Sequence, residues 1–190
     1  MTTILIISAN PGGTAPLRLE KEVRQIKEAI QKSPYRDQFV IIHYAGARIK
    51  DIQTALLEHS NVYLHFCGHG YSNGIALADE NDHATLVKSK PLVELLQLFS
   101  ANINCVFMNS CYSIAQCKPL SKHIEKTICM SKGVKDDLAI HFAEIFYQSL
   151  GAGKSIDFSF KLARNSIDLH ELKGSNIPVL LTGPRRRRTV

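Results

Sequence analysis

A chain of 190 residues, 45% hydrophobic, fits one globular domain that buries roughly 70% of the surface its unfolded form exposes, with no room for an independent second domain. No apolar run approaches the ~20 residues that span a bilayer, and residues 4–7 are too short and lack the basic flank of a secretion signal, so a soluble, cytoplasmic protein with no membrane partner is expected. The net charge of +6 is largely a tail, because Arg185, Arg186, Arg187 and Arg188 supply four of it.

In chain order, residues 4–8 predict a first strand. The loop Asn10-Pro11-Gly12-Gly13 follows, and without a G-x-G-x-x-G pattern it reads as a turn rather than a phosphate cradle. Leu19, Val23, Ile26 and Ile30 recur at helical spacing, with Pro16 placed where a first turn tolerates it. Strands are predicted at 39–44 and 62–67. Residues 74–78 and 84–87, separated by Asp79-Glu80-Asn81-Asp82, read as a small hairpin appended to the sheet. A helix marked by Leu92, Leu95, Leu96 and Phe99 precedes a strand at 105–109, and Cys117 lies on the helix after it. A strand at 127–130 leads to a helix that opens on Asp136 and Asp137, carries Leu138, Phe142, Ile145 and Phe146, and stops at Gly151. A last helix around 156–167 and an edge strand at 179–182 complete the chain. This alternation predicts a three-layer α/β/α sandwich of about six mostly parallel strands, with residues 1–183 as the domain and 184–190 as a basic tail.

Five cysteines, odd in number and set in apolar surroundings, suit a reducing compartment where thiols stay free. In such a sheet, functional groups gather beyond the carboxyl ends of the strands. Two predicted exits end in reactive residues: Leu64-His65-Phe66-Cys67-Gly68-His69-Gly70 and Val106-Phe107-Met108-Asn109-Ser110-Cys111-Tyr112-Ser113. If those strands are neighbours, His69 and Cys111 leave the same edge. A cysteine with an ordinary pKa near 8.5 is mostly thiol at neutral pH, so it needs a base, and His69 supplies one. Gly68 and Gly70 allow a sharp turn, and the Gly70 and Cys111 amides are the expected oxyanion donors.

A His-Gly after one hydrophobic strand, with a cysteine 42 residues later after the next, resembles the caspase superfamily, whose spacing is about 50. The resemblance is greatest to CHAT domains, the bacterial caspase-like modules. It is carried by residues 4–11 with Leu17-Arg18-Leu19-Glu20, by the two exits above, and by Gly151-Ala152-Gly153. It implies a caspase-like fold, His69 as general acid/base, Cys111 as nucleophile, no metal and no cofactor. It implies a protein or peptide substrate and a regulatory partner or fused sensor in a defence or cell-death setting. In many relatives the residue two before the nucleophile lines the specificity pocket. That residue is Asn109 here, a neutral side chain where relatives cutting after Arg or Lys place an acid. Met130 and Ser131, opening the 130–134 loop, are the other expected pocket residues.

Rival readings attach to the same stretches. His65, Cys67 and His69 alternate on one strand with zinc-compatible atoms, but strand neighbours two apart project about 7 Å apart rather than converging on an ion. Gly70-Tyr71-Ser72-Asn73-Gly74 matches a serine-hydrolase elbow and makes Ser72 a rival nucleophile, although a strand rather than a helix follows. Gly153-Lys154-Ser155 lacks the earlier glycine of a phosphate loop, with Gln148 in its place. The Arg tail is the chain's one handle for nucleic acid. A catalytically silent scaffold for protein contacts is the alternative to a peptidase.

Overall fold

The computed structural model describes residues 1–184; the Arg185–Arg188 tail lies outside the described residues. Ile4, Leu5, Ile6 and Ile7 form the middle of β1 (Thr2–Ala9), apolar on both faces because both are covered. The other strands of the main sheet are β2 (Phe39–Ala45), β3 (Val62–Gly68), β7 (Ile103–Asn109), β8 (Lys126–Met130) and β9 (Pro178–Thr182). Their order is β2-β1-β3-β7-β8-β9. The first five run parallel and β9 runs antiparallel to β8 at the edge. The architecture is therefore the expected α/β sandwich.

Alternation along the strands divides the interior in two. Leu5, Ile7, Leu64, Phe66, Val106 and Met108 face α2 (Ile49–Glu58), α3 (Ser89–Leu98) and α4 (Ile114–Leu120) through Ile52, Leu56, Leu92, Leu96 and Leu120. Ile4, Ile6, Phe107 and Ile128 face α1 (Leu19–Gln31), α5 (Asp136–Gly151) and α6 (Ile156–Leu169) through Ile26, Phe142, Phe146 and Phe160. Phe107 anchors the second core, its ring centroid 5.3 Å from that of Phe146 and 5.6 Å from that of Phe142 in edge-on contacts.

Three features depart from the sequence reading. The predicted hairpin is not part of the main sheet: β5 (Gly74–Ala78) and β6 (Ala84–Lys88) join β4 (Gly70–Tyr71) in a separate three-stranded antiparallel sheet. Strand β3 already has β1 on one side and β7 on the other, so the main sheet offers no free edge where the hairpin leaves it. Helix α2 was not anticipated; it is short and begins where Asp51 accepts the Arg48 backbone N–H at 2.8 Å. Helix α1 begins at Leu19, so Pro16 lies in the loop before it.

Candidate active site

Strands β3 and β7 are adjacent and parallel, with Cys67 opposite Asn109. His69 and Cys111 each follow one member of that pair by two residues, so the two turns leave the sheet side by side. Their contact is tight: a Cβ built on Gly70 would lie 2.5 Å from the Cys111 carbonyl oxygen and 2.6 Å from Ser110 Oγ. Only glycine permits that approach. The Ala76 N–H donates to the His69 carbonyl at 2.9 Å, and Gly70 sits opposite Ile75. In antiparallel pairing the position next to a bonded pair is a non-bonded one, so the Gly70 N–H turns away from β5.

The His69 ring is half-buried, and its Nε2 lies 2.8 Å from the carbonyl oxygen of Ala15 in the loop between β1 and α1. A carbonyl only accepts, so Nε2 carries the proton and Nδ1 of the neutral ring is the basic atom. Cys111 is half-buried while the other four cysteines are fully buried. The Val134 N–H points at Cys111 Sγ from 3.4 Å. Tyr112, next in the chain, takes a left-handed φ of 56° that few non-glycine residues adopt, and its N–H donates to the Lys132 carbonyl at 3.4 Å. Backbone strain of this kind clusters at working sites.

The residues expected to line a pocket divide. Asn109 is 4% exposed; its Nδ2 donates to Glu22 Oε1 at 2.7 Å and to the Ala139 carbonyl at 3.1 Å. Met130 is fully buried in the second core. Both side chains therefore point into the interior, and only Ser131 of the three is half-buried at the loop. Ser113 fixes that loop from behind, since its Oγ accepts the Met130 N–H at 2.9 Å and donates to the Met108 carbonyl at 2.8 Å. Asp79 and Glu80, the acids on the hairpin, are engaged elsewhere. Glu80 pairs with Arg48 at 2.7 Å, and N–H groups of His83 and Asn81 hold the Asp79 carboxylate below its ordinary range.

A buried polar cluster lies beneath the two exits, and no pattern in the sequence marked it. Glu22 Oε1 takes hydrogen bonds from His65 Nε2 at 2.8 Å and from Asn109, while His65 Nδ1 lies 3.2 Å from the Tyr147 hydroxyl. Glu22, His65 and Cys67 bring potential metal-ligating atoms within 4.8 Å of one another. The trio differs from the His65, Cys67 and His69 set considered from sequence, since His69 faces Ala15 instead. The short Glu22–His65 hydrogen bond already occupies the line between two of its three ligand atoms, and burial beside the Glu22 carboxylate pushes the Cys67 thiol well up from its ordinary value. A zinc ion needs that thiolate, so the chemistry of this donor set is that of a hydrogen-bonded core rather than a metal centre.

A wide cleft lies elsewhere. It has a volume of about 870 Å³ and opens at the amino ends of the strands, where Asn61, Tyr63, Asn104 and Lys126 line it. Ser72 is exposed in the two-residue turn between β4 and β5, with no helix after it. Gly153-Lys154-Ser155 ends as a helix cap, Ser155 Oγ accepting the Phe158 N–H at 3.2 Å.

No family model matches the chain, and no curated protein matches it either. Solved structures do. A secreted C11 cysteine protease from Bacteroides thetaiotaomicron, solved with an irreversible peptide inhibitor, superposes with a TM-score of 0.63 at 13% identity over 88% of this chain and 59% of that one. Caspase-1 from Spodoptera frugiperda superposes with a TM-score of 0.63 at 10% identity over 100% of this chain and 91% of that one. The chain thus spans about three fifths of the C11 protein's length. At such identities the likeness concerns the fold, and the fold is caspase-like.

Proposed function

We propose that the chain is a cysteine endopeptidase of the CHAT type, with His69 and Cys111 as its dyad and a protein or peptide as substrate. Its Nε2 proton held by Ala15, His69 takes the Cys111 thiol proton on Nδ1, and the sulfur attacks a peptide carbonyl carbon. The resulting oxyanion is received by the Gly70 and Cys111 N–H groups. His69 then returns the proton to the leaving amine, an acyl-enzyme remains, and water hydrolyses it with the same imidazole as base. The observation that carries this reading is the contact of the two strand exits at Gly70 and Cys111, with a backbone group anchoring the imidazole and another aimed at the sulfur.

Ser131 and the 131–134 segment are the pocket wall in this reading, while Asn109 acts from beneath by fixing the strand that delivers Cys111. Control by a partner or fused sensor, in a defence or cell-death setting, belongs to the same proposal. A peptide-library cleavage screen tests it, with an irreversible peptide electrophile as a second probe. Cys111→Ala and His69→Ala are expected to abolish cleavage with folding intact, and Ser72→Ala to leave it unchanged. Full cleavage by Cys111→Ala would overturn the assignment. A Cys111 that no electrophile modifies, even with natural partners present, would favour the silent scaffold.

A further inference from the structure

We propose that Arg18 is a positioning residue that locks the two halves of the dyad together; the inference rests on the reading of His69 and Cys111 as that dyad. The backbone N–H and Nε of Arg18 both donate to Asp136 Oδ2 at 3.0 Å, and a terminal guanidinium nitrogen donates to Asp137 Oδ1 at 2.6 Å. The partners are more than a hundred residues apart in the chain. Each end of this clamp lies two or three residues from a backbone group that touches one member of the proposed dyad. Ala15, whose carbonyl holds His69 Nε2, precedes Arg18 by three residues. Val134, whose N–H faces Cys111 Sγ, precedes Asp136 by two.

The contacts close a ring: His69, Ala15, Arg18, Asp136, Val134, Cys111, and back through the touching turns at Gly70. The near end of the Ala15 loop is pinned where the Gly12 N–H donates to the Asp82 carbonyl at 2.9 Å, and Arg18 pins the far end. Asp136 Oδ2 accepts both the N–H of Arg18, the residue just before α1, and its Nε, while Asp137 takes a terminal guanidinium nitrogen; a lysine keeps the backbone bond but has no planar fork to span the two carboxylates. The pair is exposed, and Arg18 retains 48% of its side-chain surface. Exposed ion pairs contribute little to global stability. The geometry of the reacting atoms is far more sensitive, since a displacement of about 1 Å costs up to roughly a hundredfold in rate.

The test is the rate at which iodoacetamide modifies Cys111, read by peptide mapping, beside thermal melts. Iodoacetamide makes no recognition contacts, so the rate reports the thiol and its imidazole alone. Arg18→Ala is expected to slow modification by about tenfold with the melt almost unchanged, and Arg18→Lys to recover only part of the loss. In the His69→Ala background, Arg18→Ala is expected to change the rate by less than about twofold, because the groups act as a unit. If Arg18→Ala fails to fold, the Asp136→Asn, Asp137→Asn protein breaks the same ion pairs from their acidic end with little change of shape and is expected to show the same slowing. Wild-type reactivity in a folded protein lacking either end of the clamp overturns the proposal, as does a loss of rate that merely tracks a loss of melting temperature. A wild-type rate indifferent to His69→Ala would instead sink the dyad itself.

Discussion

Replacing Gly70 by alanine places one methyl group in the contact on which the proposed chemistry depends. The new Cβ would meet the Cys111 carbonyl oxygen at 2.5 Å, Ser110 Oγ at 2.6 Å and Ser110 Cβ at 2.8 Å. Ordinary contact begins at 3.4 Å, so the turn after β3 and the turn after β7 must part by roughly 0.9 Å, or Ser110 must rotate and the carbonyl tilt. Neither neighbour is the free end of a long side chain. Overpacking of this kind costs about 1–3 kcal/mol, which for a domain of this size lowers the melting temperature by about 2–12 °C. Reactivity suffers more, since the same displacement moves the sulfur relative to the imidazole and shifts the residue-70 N–H away from the proposed oxyanion position. A loss of about a hundredfold in Cys111 modification or peptide turnover is expected at a temperature where the protein is fully folded. The assay is turnover and iodoacetamide modification at 20 °C, with a melt in parallel. A Gly70→Ala protein that melts and reacts like the wild type would refute the reasoning.

Other expectations follow from burial. Among the five cysteines, only Cys111 is expected to react rapidly with a disulfide reagent in the folded state: burial pushes the Cys105 thiol up to about 12 and raises Cys67 and Cys117 well above their ordinary values. Two fast equivalents of thiol at pH 8 would contradict this. Glu22→Ala strands the His65 and Asn109 donors and is expected to cost about 3 kcal/mol by chemical denaturation, whereas Glu22→Gln, which retains an acceptor, costs less. Burial lowers the His43 and His141 pKa values from 6.5, and neighbouring Lys27 and His170 respectively add to it. The unfolded chain then takes up these protons first as pH falls, so stability is lost below about pH 6.5. Melts at pH 7.5 and 5 are expected to differ, and to differ less in a His141→Gln protein; identical slopes would exclude His141 from the effect.

Much of the fold was legible because each main-sheet strand is a short apolar run with turn residues at its ends, α1 carries a strong period-3.6 pattern, and α5 is a long apolar stretch bounded by Asp136 and Gly151. The separate small sheet was less legible, because pairing of Gly70 with Ile75 depends on where β3 is already occupied, which local pattern does not encode. Helix α2 escaped because Ile49, Ile52, Ala55 and Leu56 make only a short apolar stripe. At the site, the sequence pointed to His69 and Cys111 by their place after two strands. It did not reveal the contacts made by Ala15, Val134, Glu22 and Arg18, whose partners lie tens to more than a hundred residues away and obey no spacing rule. Asn109 illustrates the limit: its position two before Cys111 suggested a pocket, while strand alternation puts its side chain on the α1 and α5 face, within reach of Glu22.

The strand order has one further consequence. With β3 and β7 third and fourth of six, both turns that carry the proposed dyad grow from the middle of the ladder, whereas β2 and β9 lie at its margins. Fraying begins at margins, where neighbours are fewest, and the innermost strands exchange their amide hydrogens last. Breathing at either margin therefore leaves the paired strands beneath the two turns intact, and separating those strands requires an opening that dismantles the whole sheet.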